Sequence, residues 1–459
     1  MILNPFRKRE PMIRLGDARF PLSSVSSGIM ITGGIGSGKS TAMRSILGQL
    51  MQFRCPMVIA CVKVDEADQM EALARRVGAL DRFIRLRPGQ PVINLLDYLT
   101  KRFNTSVTTQ FLERLCEISQ NAAGSANQGE LYWQAHTTRC MHACIDLALI
   151  AQGTASIVDV DLIASSVPAS PEEVTEDFYN HTACGVVIRA AEKFQQPDEK
   201  HRFQRAADYL RYTLPSLGDK AIGAITSQIQ NVVGNLCVEP FRDSLSGETV
   251  ITPDLIEEQQ LIVALDFPVQ INGLSGRLFQ AAFTMLTQLH CLQRSTEGIS
   301  LPMVIVRDEC GLLLHGEWDL QCQLTSRSQM CAHIDAAQDY NMLFRSLGGS
   351  TKSEHEALSF ASNHRTTLAF GNSNVRTNEH YSKLFGNSLQ ITTSGGGWGG
   401  RQQMTGNLAD DLLGVGGGAQ WSQQQLPVLR SDVFTQLPTG MCVLIEGGRF
   451  RTLDLRRRL

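Results

Sequence analysis

Gly33, Gly34, Ile35, Gly36, Ser37, Gly38, Lys39 and Ser40 spell GxxxxGK[ST], directly after the apolar run Gly28 to Thr32. Glycines in that pattern let backbone N–H groups converge on phosphate oxygens. A helix opening at Thr41 and running to about Met51 adds partial positive charge at its N-terminus. Lys39 is placed to reach β- and γ-phosphates, and the Ser40 hydroxyl to ligate Mg²⁺. A strand, a glycine-rich loop, a Lys-Ser pair and a helix in this order imply a site for ATP with Mg²⁺.

A second cluster completes the chemistry. Met303 to Arg307 is an apolar strand that ends in Asp308 and Glu309. Phosphoanhydride hydrolysis needs one acid on the metal side, here Asp308, and one that polarises the attacking water, here Glu309. A water-activating base beside the γ-phosphate argues against a small-molecule kinase. The string Leu245-Ser246-Gly247-Glu248 lacks the rest of a transporter-type signature and does not support that class. Gln338 follows a short strand and can sense the γ-phosphate through its amide. Arg327, between Glu309 and Gln338, is a candidate finger that stabilises charge in a neighbour's site, with Arg345 and Arg365 as lesser candidates.

These residues must be held by a framework. The chain has 459 residues, 43% hydrophobic and 19% charged, which is too long for one core and ordinary for a globular protein. A net charge of −3 excludes a strongly basic body, so contact with nucleic acid would rely on local patches or a pore built by several subunits. Arg7-Lys8-Arg9 and Arg456-Arg457-Arg458 read as solvated ends. The twelve cysteines include no CxxC pair and are expected to be reduced. Cys140, His142 and Cys144 lie on a helical stretch and read as core packing, leaving no metal expected beyond magnesium. No apolar run approaches the ~20 residues needed to span a bilayer.

Apolar runs at 57–62, 83–86, 260–266, 303–307, 333–337, 366–370 and 441–446 read as strands, with helices at about 66–78 and 274–293. Between about 100 and 250 the pattern is helical. The fold class expected is therefore α/β: a RecA-like P-loop nucleotide-binding domain with a mostly parallel central sheet, interrupted by an all-α inserted domain. The expected boundaries are a lead-in over 1–24, the ATPase domain over 25–100 and 251–459, and the insertion over 101–250. Two glycine-rich loops, 394–400 with Trp398 and 414–418, read as connectors.

With these residues assembled, the chain resembles the FtsK/HerA-like motor ATPases, and most of all the type IV conjugative coupling proteins. The resemblance covers about 25–455. It rests on GGIGSGKST at 33–41, on Lys63 to Asp65, and on Asn94-Leu95-Leu96 before a helical insertion carrying Trp133. It continues through Leu265-Asp266-Phe267-Pro268, the order Asp308-Glu309, Arg327, Gln338, and Leu437-Pro438-Thr439-Gly440. It implies a bacterial DNA-translocating ATPase, a homo-hexameric ring with sites at subunit boundaries, Arg327 as arginine finger, and relaxase or type IV secretion partners. Coupling proteins usually carry a membrane anchor, and the apolar runs here provide none. The expected location is thus cytoplasmic, with recruitment to the inner membrane by partners. An ATPase powering assembly or protein export in a type IV secretion apparatus is the alternative.

Overall fold

The computed structural model describes residues 10–123, 131–295, 301–394 and 420–456. The two glycine-rich loops, with Trp398, fall outside the described residues apart from Ser394. The strands are β1 (Met12–Leu15), β2 (Ala18–Pro21), β3 (Ile29–Thr32), β4 (Met57–Cys61), β5 (Phe83–Leu86), β6 (Ile262–Asp266) and β7 (Met303–Arg307). They continue with β8 (Cys331–Ala337), β9 (Thr366–Phe370), β10 (Asn387–Ser394), β11 (Gln420–Pro427), β12 (Met441–Glu446) and β13 (Arg449–Asp454).

Nine of them form one sheet in the order β13-β12-β9-β3-β8-β7-β4-β6-β5. From β9 to β5 every pairing is parallel, and β12 and β13 close one edge antiparallel. The interior strands are fully buried, as a parallel sheet covered on both faces requires. Side chains alternate between two cores. Val304 and Val306 of β7 face the core that holds the helix α1 (Lys39–Gln52) and α2 (Glu66–Arg76). Met303 and Ile305 face the opposite core.

That opposite core is shared with the helical block. From Leu95 to Glu258 every described element is a helix or helical turn. Their apolar faces form one continuous cluster with the helix Val269–Leu292 and with Val58, Leu86, Val263 and Leu265 of the sheet. The block is therefore a layer laid on the sheet. Sequence-local caps fix its helix starts, including Asn94 accepting from the Asp97 N–H and a capping box between Ser156 and Asp159. Cys140 and Cys144 pack in this core, and His142 turns away to pair with Asp146 at 3.1 Å. The residues read as a lead-in hold the β1–β2 hairpin, whose Ile13, Leu15, Ala18 and Phe20 enter the α1 core.

Among the described residues no single helix is long and apolar enough to cross a membrane. The stretches Trp133–Gln152 and Ile157–Ser165 would qualify by length and composition only as a pair bent by 113°.

Candidate active site

The site lies at the carboxyl ends of β3, β8 and β7, the edge of a parallel sheet where ligands bind. β3 runs into the glycine loop and α1 follows. Gly33, Gly36 and Gly38 have φ of 152°, 73° and 109°. At Gly33 the space is also closed, since an added Cβ would sit 2.6 Å from the Phe370 Cβ and 2.8 Å from the Ser37 Oγ. The loop is anchored from three sides. The Gly33 N–H donates to the Gln338 carbonyl at 3.2 Å, Gly34 N–H to the Gly371 carbonyl at 2.8 Å, and Gly440 N–H to the Ser37 carbonyl at 2.9 Å. The segment Leu437 to Gly440 thus lies against the loop, close enough that a Cβ on Gly38 would meet Gly440 backbone at 3.2 Å.

Several features of this cradle suit a phosphate chain with its cation. No side chain caps α1, so its first-turn N–H groups remain donors for an anion. Ser37 Oγ is buried without a hydrogen-bond partner, and Ser40 and Thr41 are exposed at the helix start. Ile35 projects from the loop, 88% exposed. The Lys39 ammonium is buried and donates to the carbonyls of Gly33 at 2.5 Å and Gly34 at 3.0 Å. Burial lowers its pKa, opposed in part by the charges of Glu309 and Asp308, so both carboxylates lie within its electrostatic reach.

The sheet order decides how the acids meet the loop. β8 separates β3 from β7, so Gln338, just past β8, stands between the glycine loop and Asp308-Glu309. The Gln338 Nε2 amide donates to Glu309 Oε1 at 3.4 Å, while its backbone carbonyl accepts from Gly33 and from Asn372 Nδ2 at 2.8 Å. Glu309 itself adopts φ 59°, ψ 50°, a left-handed conformation that costs a non-glycine residue energy and recurs at functional sites.

Lys63 enters the sequence reading only through the family resemblance, with no role of its own. Its ammonium lies 2.8 Å from Asp308 Oδ2 and 3.6 Å from Glu309 Oε1. Burial disfavours the Lys63 charge, yet Asp308 and Glu309 more than offset this and raise its pKa. Glu66, on the next helix, went unnoticed. Its carboxyl accepts from the Val62 N–H at 2.9 Å and the Lys63 N–H at 3.3 Å, holding the Lys63 turn in place. An acid just after a strand-ending Lys-Val-Asp was the available signal, but helix starts are commonly acidic.

Burial, and then the nearby Asp308 charge, push the Glu66 carboxyl up to about 8. The folded chain therefore keeps a proton that the unfolded chain releases near pH ~4.3. Stability is greatest below that value, falls as pH rises through the window, and levels off above about 8. Glu66→Gln is expected to flatten this fall, read as denaturant midpoints at about pH 5 and about pH 9. An unchanged slope would assign the dependence elsewhere.

Arg327 is not brought to this site. It is exposed in the turn before β8, at the opposite edge of the sheet from Gln338. The seven residues of β8 alone span about 23 Å. Among the described residues its side chain makes no ion pair or hydrogen bond. It can complete only another molecule's site.

Beneath the acids lies a buried ionic network. Arg307, 1% exposed, donates through Nε and an Nη to both oxygens of Asp335 at 2.6 and 3.0 Å, and through the other Nη to Asp319 Oδ1 at 2.6 Å. His364 Nε2 meets Asp335 at 2.9 Å. Burial would raise the Asp335 pKa, but Arg307 and His364 hold it well below the usual carboxylate range. This network locks β7 to β8 directly under Asp308.

A mostly parallel sheet in which β8 stands between the glycine-loop strand β3 and the acid strand β7, covered by helices on both faces, is an α/β P-loop architecture. Solved structures share that architecture over nearly the whole chain. The chain is similar to the bacterial conjugative coupling protein TrwB lacking its first 70 residues, with TM-score 0.66, 13% identity, and coverage of 99% of this chain and 90% of that one. It is similar to TrwB in complex with ADP and Mg²⁺ at TM-score 0.65 and 13% identity, covering 99% of this chain and 91% of that one. VirB4 of Thermoanaerobacter pseudethanolicus follows at TM-score 0.53 and 12% identity, covering 98% of this chain and 97% of that one. No family model matches the sequence, and no curated protein matches it by sequence. The likeness is one of fold.

Proposed function

We propose that this chain is an ATP-hydrolysing motor of the conjugative coupling type that moves DNA through an oligomeric ring, hexameric by its resemblance. The observation that carries the reading is the convergence of Lys39, Asp308, Glu309 and Gln338 at one sheet edge. The fold shared with TrwB over 99% of this chain supports the coupling assignment. The backbone N–H groups of residues 38–41 bind the phosphates, and Lys39 exchanges its loop carbonyls for β- and γ-phosphate oxygens. Ser40 and Asp308 would hold Mg²⁺, which when bound neutralises charge on those oxygens. Lys63 pairs with Asp308 at 2.8 Å and must release it for that role. Glu309 orients a water for in-line attack and accepts its proton. Gln338 links the outcome to the fold, because its side chain touches Glu309 while its carbonyl holds Gly33.

Arg327 acts in trans as the finger of the adjacent subunit. Mixing Arg327→Ala chains into wild type is expected to depress ATPase activity below the wild-type fraction present. A strictly proportional fall would mean independent sites.

A second reading, an ATPase that drives assembly or protein export in a type IV secretion apparatus, is favoured by the VirB4 likeness. ATPase rates with and without single- and double-stranded DNA, at low and moderate salt, separate the two. A motor on DNA is stimulated, and the stimulation fades with salt because phosphate contacts release counterions. A rate indifferent to DNA would overturn the DNA-motor reading in favour of the secretion-apparatus ATPase.

A further inference from the structure

Two faces of the fold meet in a cluster of soft ligands far from the glycine loop. Cys331 and His333 stand two residues apart on β8 and so point the same way, into the core shared with the helical layer. Cys322 comes from the helix Gly316–Thr325, and Cys291 from the end of the helix Val269–Leu292. All four are buried. The ligand atoms of Cys322, Cys331 and His333 lie within 4.8 Å of one another, with Cys331 Sγ 3.9 Å from His333 Nε2. Cys291 lies beside Cys331, its sulfur outside that 4.8 Å group.

The surroundings fix which imidazole nitrogen faces this cluster. The Trp318 indole N–H, which can only donate, reaches Gln288 Oε1 at 2.7 Å. The Gln288 Nε2 group must then be the donor, and it reaches Asp319 Oδ1 at 2.7 Å and His333 Nε2 at 3.2 Å. His333 Nε2 therefore presents a lone pair, and its proton resides on Nδ1. An imidazole whose Nε2 lone pair, taken here by Gln288, lies beside Cys322 and Cys331 can turn that nitrogen to a soft divalent ion once Gln288 lets go.

We propose that Cys291, Cys322, Cys331 and His333 form a structural zinc site. Three thiolates and one imidazole make the tetrahedral Cys₃His set of closed zinc sites, with Zn–S near 2.3 Å and Zn–N about 2.0–2.1 Å. Those lengths place neighbouring ligand atoms roughly 3.5–3.8 Å apart in a tetrahedron. Cys322, Cys331 and His333 close by a contraction of about an ångström, with Gln288 releasing His333 and keeping its bond to Asp319, while Cys291, outside that group, moves in as the fourth ligand. The ion would join β8 to the two helices packed on it. Cys322 and Cys331 also bracket the turn carrying Arg327, so zinc would fix the base of that turn; the site stands on its ligands whether or not Arg327 is a finger.

The test uses the full chain purified without chelators. Zinc content by mass spectrometry is expected at about one ion per chain. Cobalt titration of the metal-stripped, reduced chain is expected to give thiolate-to-cobalt charge-transfer bands and tetrahedral d–d bands. Cys322→Ser and His333→Ala should weaken cobalt binding about 100-fold or more, while Cys116→Ser leaves it unchanged. Should those variants not fold, alkylation of the wild-type chain decides: metal must protect Cys291, Cys322 and Cys331 relative to the stripped chain. Absence of zinc as purified together with no cobalt–thiolate bands would overturn the site, and so would protection falling on other cysteines.

Discussion

Glu309→Gln is expected to bind ATP as tightly as wild type and to lose turnover by about 10²–10⁴-fold, the usual worth of a positioned general base. The amide keeps the size of the side chain and its contact with Gln338, so the glycine loop, Lys39 and Asp308 stay where they are. What disappears is the carboxylate that takes the proton from water. Glu309 is the more open of the two acids, its side chain 17% exposed against 7% for Asp308, which Lys63 holds at 2.8 Å. Its left-handed backbone, at φ 59° and ψ 50°, turns the chain sharply just past β7. Nucleotide affinity by fluorescence and phosphate release on the same preparation check the split. Normal turnover in the variant would remove Glu309 as the base, and lost affinity would make it a binding residue.

Arg307→Met is expected to destabilise the fold by about 3–5 kcal/mol, read from urea midpoints. Arg307 neutralises Asp319 and Asp335 at 2.6 Å each inside a fully buried layer. Removing only the cation strands two carboxylates away from water, and the desolvation penalty outweighs what methionine packing returns. The account further expects the triple variant Arg307→Met, Asp319→Asn, Asp335→Asn to recover a large part of the loss, because the uncompensated charge is gone. A single variant within about 1 kcal/mol of wild type would show that the network contributes little.

The contrast between these two residues shows what the sequence could reveal. The loop at 33–41 is contiguous, and its chemistry is set by local geometry, so both its residues and its partner acids were legible. The buried parallel strands were equally legible as apolar runs bounded by turns, and β7, β9 and β12 lie where those runs end. Strand order was not, because no local signal says that β8 lies between β3 and β7. Arg307 reads as a polar strand end; its burial depends on Asp319, Asp335 and His364 from three other segments. The β1–β2 hairpin, with four-residue strands, is too short to show a period. β13 has mostly exposed or half-exposed residues and reads as a solvated segment. The Cys/His cluster escaped for a related reason. Cys322 and Cys331 are nine residues apart with no CxxC spacing, and Cys291 arrives from another helix.

The central claim is that this sheet edge hydrolyses ATP. The direct measurement is phosphate release from ATP with Mg²⁺ over a range of protein concentrations, with Lys39→Ala as the blank. The account predicts release well above the blank, rising faster than in proportion to protein as chains come together. Release no greater than that of Lys39→Ala at every concentration would contradict it.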